Sequence, residues 1–280
     1  MDVRYRLLAV DVDGTLVDRH DGLSEGTRRA LQRAMAGGIR VVLATGRRYG
    51  RALPVLRRLG IEVPLVAASG ALVKDPRDHH TIYAARFPPG VLERCLEVIT
   101  ACGFEPVVCA DTYMAGFEFY VAQRQVRGAE LAEYLEVNAD DGRLWPGLPS
   151  HPPPGVFAGF AMGTRQQMLE LEREILRRLP GRVHSHVLRS PKYRGFMCEF
   201  TPAGVTKWTA ISRLAAGWGV AEGAICAVGD DVNDIPMLRA AGLGVAMANA
   251  PAEVKRAADR VAPSQEEDGL VEVVQWLLDG

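Results

Sequence analysis

The chain of 280 residues is long enough for two domains, or for one core that carries a large insertion. Its composition, 48% hydrophobic and 24% charged, is that of an ordinary globular protein, and a formal net charge of -1 favours neither nucleic acid nor an anionic membrane surface as a partner. Because no apolar stretch approaches the ~18 residues of a membrane span and the chain starts with polar residues, we expect a cytoplasmic protein, whose oligomeric state the sequence leaves open.

The first third of the chain alternates short apolar runs with helical patterns. Strands are predicted at residues 7–10, 41–44 and 63–67, and helices between them at residues 24–36 and 49–59. Continuous apolar strands with intervening helices favour a parallel sheet that is covered on both faces.

The middle third has a different pattern, in which strands follow one another between longer helices. The predicted elements are, in chain order, a helix at 91–101, strands at 104–109 and 117–121, a helix at 125–136, a strand at 156–162, a helix at 164–179, and strands at 183–188 and 196–200. The proline-rich stretch 146–155 is predicted to be a loop, with a domain linker as the alternative. The region therefore has the pattern of an α+β layer.

The last third returns to the first pattern, with helices predicted at 205–218, 235–241 and 269–278 and strands at 224–228, 244–247 and 260–262. Together these elements predict an α/β fold: a doubly wound parallel-sheet core, residues 1–84 and 197–280, with an inserted α+β cap domain, residues 85–196. An insertion between core strands would form a lid over the carboxyl ends of the strands, where open α/β sheets bind ligands.

The segment 11–15, DVDGT, directly follows the first predicted strand. Asp11 and Asp13 are two residues apart at a strand end, so one carboxylate can attack a substrate while the other donates and accepts protons. Gly14 allows the backbone to turn sharply and to approach an anion closely. Taken alone, the segment is also compatible with an acidic turn.

The segment Thr45-Gly46-Arg47 follows the second predicted strand. A hydroxyl and free backbone amides at a strand-to-helix junction suit phosphate oxygens. Without other evidence, however, a helix N-cap followed by a surface arginine is the better interpretation of these three residues.

Lys207 is predicted near the start of a core helix, where a positive charge opposes the helix dipole. Arginine accounts for 29 of the chain's 33 basic residues, so a lysine at this unfavourable position suggests an anionic partner. A solvated surface lysine explains the residue about equally well when it is considered alone.

The segment 229–234, GDDVND, follows another predicted core strand and places three carboxylates and a rare asparagine within five positions. This cluster, which includes Asp230, Asn233 and Asp234, is electrostatically unfavourable unless a positive charge neutralises it. Hard oxygen ligands suit magnesium, which commonly takes one or two carboxylates and a substrate phosphate. A solvated acidic turn is an equally good interpretation in isolation.

The combination of these segments is much more specific than any one of them, because a doubly wound sheet would bring all four to the same edge. In this order and placement the chain resembles the haloacid dehalogenase superfamily of phosphatases, and within it the Cof-type branch with a large α+β cap. The matching segments are DVDGTL at 11–16, TGR at 45–47, GVTK at 204–207, GDDVND at 229–234, GVAMANA at 244–250 and DGL at 268–270. The resemblance covers the whole core, whereas the insertion matches only in length and pattern.

The resemblance implies a magnesium-dependent phosphatase that forms a covalent phosphate on Asp11. In that mechanism Asp13 protonates the leaving oxygen and later activates water, and Lys207 neutralises charge on the nucleophile and the phosphate. Thr45 belongs to the same catalytic set, in which positioning and positive charge provide most of the catalysis.

The resemblance also implies the binding residues. Phosphate would be held by Gly14, Gly46, Arg47 and Asn233, together with the hydroxyl of Thr45. The magnesium ion, Mg2+, would be bound by Asp11, by the backbone carbonyl of Asp13 and by Asp230, with Asp234 as a supporting group.

Three functions follow as candidates. The first is hydrolysis of the phosphate monoester of a small metabolite such as a sugar phosphate. The second is a phosphotransferase such as a sugar phosphomutase, which no sequence feature favours. The third is a non-catalytic sensor of a phosphorylated metabolite, against which the intact set of Asp11, Asp13, Lys207 and Asp230 argues.

Two positions depart from the branch pattern: Trp208 stands where glycine is usual, and Ser69 stands where asparagine is usual. Neither change removes a catalytic group, but both bear on the cap hinge and the pocket shape. Lys192 and Arg194, near the predicted return from cap to core, are candidates for contact with an anionic substrate, although a solvated hinge loop is the preferred interpretation.

His184 and His186 are predicted to lie on one face of a strand, a spacing that some metal sites use. Because no acidic or cysteine partner is nearby in sequence, we expect these histidines to have a surface or packing role.

Overall fold

The computed structural model describes residues 4–189 and 193–279. In chain order, its strands are β1 (Leu7–Asp11), β2 (Arg40–Ala44), β3 (Leu65–Ala67), β4 (Leu72–Lys74), β5 (Thr81–Ala84), β6 (Val107–Ala110), β7 (Phe119–Val121), β8 (Gly142–Leu144), β9 (Val156–Gly163), β10 (Val183–Arg189), β11 (Phe196–Pro202), β12 (Ile225–Gly229), β13 (Leu243–Met247) and β14 (Arg260–Ala262). Its α-helices are α1 (Glu25–Ala36), α2 (Tyr49–Leu59), α3 (Val91–Ala101), α4 (Ala129–Val137), α5 (Arg165–Arg178), α6 (Lys207–Gly217), α7 (Ile235–Ala240), α8 (Ala252–Lys255) and α9 (Gly269–Asp279).

Backbone contacts divide the chain into two units. The core unit comprises Met1–Tyr83 and Thr206–Gly280, and the inserted unit comprises Ala84–Val205. The return to the core, which the sequence placed after residue 196, therefore falls between Val205 and Thr206. The reason is that β11 pairs with β9 and β10 of the inserted unit, so the strand cannot be divided from that sheet.

The core unit is built on a sheet with the strand order β14-β13-β12-β1-β2-β3-β4-β5. The strands from β14 to β3 are parallel to one another, and β4 runs antiparallel to β3. The chain proceeds outward from β1 to β3 and later returns to the other side of β1 at β12, so the strand order reverses at β1. The doubly wound α/β fold predicted from the sequence is thereby confirmed, with β1 and β12 flanking the crevice where such sheets bind ligands.

The central strands are buried on both faces because helices cover the sheet on both sides. Every residue of β1, β12 and β13 is buried. On one face, Ile211 and Leu214 of α6 pack with Leu7 and Val42 of the sheet in a single hydrophobic cluster. This is the continuous apolar pattern that parallel strands require, and it holds the polar residues at the strand ends in fixed positions.

The inserted unit contains a second sheet, with the order β10-β11-β9-β6-β7-β8. Its pairings are antiparallel except for β7 with β8. Helices α3 and α5 contribute Leu96, Ile99, Leu171 and Ile175 to a hydrophobic cluster with this sheet. Helix α5 begins with the predicted capping box, in which the Thr164 hydroxyl and the Gln167 side chain accept each other's backbone amides.

Several boundaries differ from those predicted. Strands β4, β5 and β8, with three or four residues each, were not predicted. The helix expected from residue 125 begins at Ala129, after an irregular stretch that ends in Gly128. Among the described residues, no helix combines the length and the apolar character needed to cross a membrane.

Candidate active site

Asp11 and Lys207 form a buried ion pair at the end of β1. Asp11 is the last residue of the strand and is 4% exposed, and Lys207 is the first residue of α6 and is 1% exposed. The Lys207 Nζ donates to Asp11 Oδ1 at 2.5 Å and to Asp234 Oδ1 at 2.7 Å. The lysine thus bridges two carboxylates that come from opposite ends of the chain.

Helix α6 starts with a cap that fixes the position of Lys207. The Thr206 hydroxyl accepts the backbone amide of Thr209, and the Thr209 hydroxyl accepts the backbone amide of Thr206. Trp208, the departure from the branch pattern, packs against the core hydrophobic cluster. Its large ring is therefore accommodated without moving Lys207 out of the site.

The site holds more negative than positive charge. Burial, followed by the charge of Asp234, raises the pKa of Asp11, although Lys207 opposes this shift. Burial and Asp234 also raise the pKa of Asp230 to about 7. Burial alone would lower the pKa of Lys207, but the charges of Asp11 and Asp234 hold it above its usual value. One lysine therefore does not neutralise the three carboxylates, and the site favours a further cation.

Asp230 and Asp234 are held in place by hydrogen bonds around the loop after β12. Asp234 is fully buried, and its Oδ2 accepts the backbone amides of Asp230 and Asp231, each at 3.0 Å. The Asp230 Oδ1 accepts the Thr15 hydroxyl at 2.7 Å, and its Oδ2 accepts the Asn249 Nδ2 at 3.2 Å. These bonds aim the Asp230 carboxylate at the turn that follows Asp11.

Carboxylate oxygens of Asp11, Asp230 and Asp234 lie within 4.8 Å of one another. Within residues 4–189 and 193–279, no other group of three or more histidine, cysteine or acidic side chains comes this close. Asp234 is fully buried and accepts hydrogen bonds from Lys207 and from two backbone amides. Asp230 is only half-buried, and Asp11 lies at the strand end, so Asp11 and Asp230 are the better placed to bind a cation directly.

Gly14 is required where the turn after Asp11 passes Asp230. Its φ of 80° lies in the left-handed region, and a Cβ at this position would overlap the carboxylate of Asp230. The Asn249 Nδ2 also donates to the Gly14 carbonyl at 2.9 Å. The glycine therefore allows the first motif and the acidic loop to approach each other closely.

Asp13 is bound by Arg47. The Arg47 Nε donates to Asp13 Oδ2 at 2.8 Å, and its Nη2 donates to Asp13 Oδ1 at 2.5 Å. The same Nη2 donates to Asp21 Oδ1 at 2.6 Å. Arg47, which the sequence placed among the phosphate-binding residues, thus has its guanidinium engaged by two carboxylates. Gly46, beside it, is half-buried.

Thr45, Ser69 and Asn233 lie near the ends of β2, β3 and β12. Thr45 is fully buried, and its hydroxyl accepts the backbone amide of Arg47 at 3.0 Å. The Asn233 Nδ2 donates to the Ser69 hydroxyl at 3.5 Å, and Ser69 has a φ of 52°. The buried Asn233 Oδ1 has no hydrogen-bond partner among the described residues, so it remains available as an acceptor.

Three residues around this site were not among the predicted site residues: Thr15, Asn249 and Asp21. The chain contains only three asparagines, and that scarcity could have marked Asn249. Thr15 lies inside the first motif, so its contact with Asp230 was within reach of the sequence. Nothing in the sequence indicated that Asp21 would contact Arg47.

The other polar features that the sequence raised belong to the inserted unit. The His186 Nε2 lies 3.0 Å from the Glu199 Oε2 on the neighbouring strand, so this histidine has an acidic partner that is distant in sequence. Arg194 lies 3.7 Å from Glu133 and is 71% exposed. Lys192 lies outside the described residues.

Comparisons with known proteins agree over nearly the whole chain. The family model described as haloacid dehalogenase-like hydrolase matches residues 8–274. A phosphoglycolate phosphatase of Methanoculleus marisnigri is 28% identical, covering 96% of this chain and 95% of its own. A 5-amino-6-(5-phospho-D-ribitylamino)uracil phosphatase of Bacillus subtilis is 26% identical, covering 96% of both chains. A crystal structure of a Thermotoga maritima protein is 27% identical, covers 97% of both chains and has a TM-score of 0.75.

Proposed function

The chain belongs to the haloacid dehalogenase-like hydrolase family and is a phosphatase, and from this premise we propose that it hydrolyses the phosphate monoester of a small metabolite through a covalent phosphate on Asp11. The observation that carries the proposal is the buried contact of 2.5 Å between Lys207 Nζ and Asp11 Oδ1. A carboxylate held against a buried ammonium group at a strand end is positioned for attack on an anionic substrate.

The first half of the reaction transfers the phosphoryl group to the protein. An oxygen of the Asp11 carboxylate attacks phosphorus, and the bond between phosphorus and the leaving oxygen breaks. Asp13, in its carboxylic acid form, gives its proton to that oxygen, so the alcohol leaves and Asp11 carries an acyl phosphate. Lys207 stabilises the negative charge that gathers between the nucleophile and the phosphoryl oxygens.

The second half of the reaction hydrolyses the acyl phosphate on Asp11 and regenerates the free protein. The Asp13 carboxylate takes a proton from a water molecule as the water oxygen attacks phosphorus. The bond between phosphorus and the Asp11 oxygen breaks, inorganic phosphate leaves, and both aspartates return to their starting forms. The hydroxyl of Thr45, which accepts the Arg47 amide, can donate a hydrogen bond to a phosphoryl oxygen. The Oδ1 of Asn233, which has no partner among the described residues, can accept a hydrogen bond from a substrate hydroxyl or from the attacking water.

The donor atoms at this site fit a magnesium ion. Asp11 and Asp230 provide hard carboxylate oxygens that lie close together, and burial, followed by the charge of Asp234, raises the pKa of both carboxyls. We assign the direct ligands to Asp11, Asp230 and the backbone carbonyl of Asp13, with Asp234 as support. When bound, magnesium would neutralise phosphoryl oxygens and orient the phosphate.

The substrate class is a small phosphorylated compound such as a sugar phosphate. The inserted unit is proposed to act as the lid that excludes water and bulky substrates when the site closes. The two relatives described above are named as phosphatases of small phosphate monoesters. Their names support this substrate class without identifying the substrate of this chain.

The test is phosphate release from p-nitrophenyl phosphate and a panel of sugar phosphates, with magnesium and with chelator. Asp11→Asn removes the nucleophilic charge while keeping the size of the side chain, and we expect it to reduce turnover by about 10⁴-fold or more. Asp78→Asn, the same change at an exposed loop aspartate whose Oδ1 accepts the backbone amide of His80 at 2.9 Å, is the control and should retain full activity.

Acid-quenched protein should carry phosphate on Asp11, detectable by mass spectrometry as a labile adduct on the peptide that contains β1. Turnover by Asp11→Asn at the wild-type rate would overturn the proposed nucleophile. Transfer of phosphate to an added sugar, with none released to water, would show a phosphotransferase. Ligand binding without turnover by the folded, magnesium-loaded protein would show a sensor.

A further inference from the structure

Arg47 connects Asp13 to a second carboxylate that lies outside the catalytic motifs. The guanidinium makes two bonds to Asp13, at 2.8 and 2.5 Å, and one bond of 2.6 Å to Asp21. The Arg47 side chain is 11% exposed, against 29% for Asp13 and 21% for Asp21. The arginine is therefore the most buried member of the three and is held by a carboxylate on each side.

The loop that carries Asp21 is itself ordered by local bonds. The Asp18 Oδ1 accepts the backbone amides of His20 and Gly22, each at 2.7 Å. Asp21, between them, has a φ of 62°, a left-handed conformation that aspartate tolerates better than most residues. The loop thus presents the Asp21 carboxylate to Arg47 in a defined position.

A guanidinium is a planar fork whose donors have fixed directions, so a bidentate bond aligns the plane of the carboxylate with that of the fork. With only Asp13 as a partner, Arg47 and Asp13 could rotate together about their flexible side chains. The bond to Asp21 anchors the same guanidinium to a second loop and removes that freedom. The orientation of the Asp13 carboxyl therefore depends on a residue that does not touch it.

We propose that Asp21 is a positioning residue for the phosphatase reaction, which fixes Arg47 and through it aims the Asp13 carboxyl at the leaving oxygen. This inference rests on the function proposed above. Asp13 gives its proton to the leaving oxygen as the bond to phosphorus breaks, so misalignment of its carboxyl slows this step. Misplacement of a catalytic group by about 1 Å can reduce the rate by about 10²-fold.

The inference makes a prediction that depends on the leaving group. An alcohol leaves a sugar phosphate only when its oxygen is protonated, whereas p-nitrophenolate is a stable anion that leaves without a proton. The value of kcat/KM reports the steps through formation of the phosphorylated Asp11. Loss of Asp21 should therefore lower kcat/KM for the sugar phosphate far more than kcat/KM for p-nitrophenyl phosphate.

The test variant is Asp21→Gly, because glycine removes the carboxylate and adopts the positive φ without strain. We expect kcat/KM to fall about 30-fold for the best sugar phosphate and less than about 3-fold for p-nitrophenyl phosphate. Asp21→Asn keeps an acceptor oxygen for Arg47, so it should retain most of the wild-type kcat/KM for the sugar phosphate. His20→Gly, at the exposed neighbouring position, adds the same backbone freedom. Its kcat/KM for both substrates should stay within about 2-fold of the wild-type values.

The coupling of Asp21 to Asp13 can be measured with a double variant. Asp13→Asn alone should show the same leaving-group pattern with a larger loss, and adding Asp21→Gly to it should cause little further loss, because the group to be positioned is already gone. The positioning role would be overturned if Asp21→Gly lowered kcat/KM equally for both substrates, or if the losses in kcat/KM were fully additive in the double variant. A folded wild-type protein that cleaves neither substrate would overturn the proposed function as well.

Discussion

The two units arrange their interior polar groups differently. In the core unit, charged groups converge at the end of β1, where Lys207, Asp11 and Asp234 are at most 4% exposed. In the inserted unit, interior polar contacts are separate from one another, such as the Ser185 hydroxyl with Cys198 Sγ at 3.5 Å or the Asn138 Nδ2 with the Tyr134 carbonyl at 2.7 Å. The core unit concentrates charged groups at one edge of its sheet, whereas the polar pairs of the inserted unit are distributed through its layer.

Sheet topology explains this difference. Parallel strands all place their carboxyl ends at one edge, so residues that follow β1, β2 and β12 meet there. Antiparallel strands alternate in direction, and the residues after them are divided between the two edges. Concentrated buried charge opposes folding unless each group is paired, so the charge cluster of the core unit is expected to reduce stability in exchange for the function proposed above.

The largest expected combined effect on activity and stability comes from removing the central cation of the core unit. Lys207→Met keeps much of the side-chain volume but leaves Asp11 and Asp234 without their shared ammonium group. We expect kcat/KM to fall by about 10³-fold or more and the free energy of unfolding to fall by about 3–5 kcal/mol. Steady-state kinetics and urea unfolding measure the two effects, and Lys207→Arg should not restore activity because its planar fork does not fit the same space.

The matched change in the inserted unit is Ser185→Ala, which removes a hydroxyl that contacts Cys198 and donates to the Glu199 carbonyl at 2.7 Å. We expect a loss of about 1 kcal/mol in the free energy of unfolding with kcat/KM unchanged. If Lys207→Met and Ser185→Ala lowered kcat/KM to a comparable extent, the two units could not be distinguished by the role of their interior polar groups.

The next effect tests the excess negative charge through its pH dependence. Burial and Asp234 raise the pKa of Asp230 to about 7, above its ordinary value of 3.8. The folded protein therefore holds more protons than the unfolded chain between about pH 4 and pH 7. Rising pH across this window removes stability from the metal-free protein. A magnesium ion at the site opposes that loss, because it binds the ionised carboxylate.

Thermal melting at pH 5.5 and pH 8, with magnesium and with chelator, measures this linkage. At a hundredfold excess over Kd, the ion should add about 2.7 kcal/mol at pH 8 and raise Tm by about 5 °C or more. At pH 5.5, protonation of Asp230 should weaken apparent binding about 30-fold. Asp230→Asn should abolish the stabilisation by magnesium at both pH values. If magnesium raised the Tm of the wild type equally at pH 5.5 and pH 8, the proposed protonation of Asp230 would be contradicted.

The same topology determines what could be predicted from sequence. The carboxyl ends of parallel strands lie at one edge of the sheet, so motifs at these ends come close together. The proximity of Asp11, Lys207 and Asp230 could therefore be predicted from their positions next to predicted core elements. The three strands that were missed, β4, β5 and β8, have three or four residues each, a length at which a period of two carries little information. The division between the units also fell later than expected, because hydrophobic pattern alone does not show which sheet a strand such as β11 joins.

Side-chain partners were the least predictable feature of the site. The engagement of Arg47 by Asp13 and Asp21 depends on a loop whose left-handed residue is fixed by bonds within the loop itself. An arginine after a strand end suits phosphate and carboxylate equally well, and only the folded loop decides between them. The pairing of His186 with Glu199 was missed for a related reason, since cross-strand neighbours need not be close in sequence.

The smallest expected effect compares one glutamate in each unit. Glu25 accepts bonds from Arg28 and Arg29, and Glu174 accepts equivalent bonds from Arg177 and Arg178. The hydrogen bonds from these arginines lower the pKa of each glutamate to about 2. Glu25 is exposed, and Glu174 is half-buried with exposed arginine partners. Ion pairs at the surface contribute little to stability.

The helix dipole distinguishes the two otherwise similar glutamates. Glu25 lies in the first turn of α1, where negative charge is favourable, whereas Glu174 lies near the end of α5, where it is not. We therefore expect Glu25→Gln to lower Tm by up to about 2 °C and Glu174→Gln to lower it by less than about 1 °C. Because each folded-state pKa is depressed, both differences should be present above about pH 4.5 and disappear as pH falls towards 2. Equal shifts in the two variants would mean that the arginine bonds, and not helix position, set the contribution of surface charge in both units.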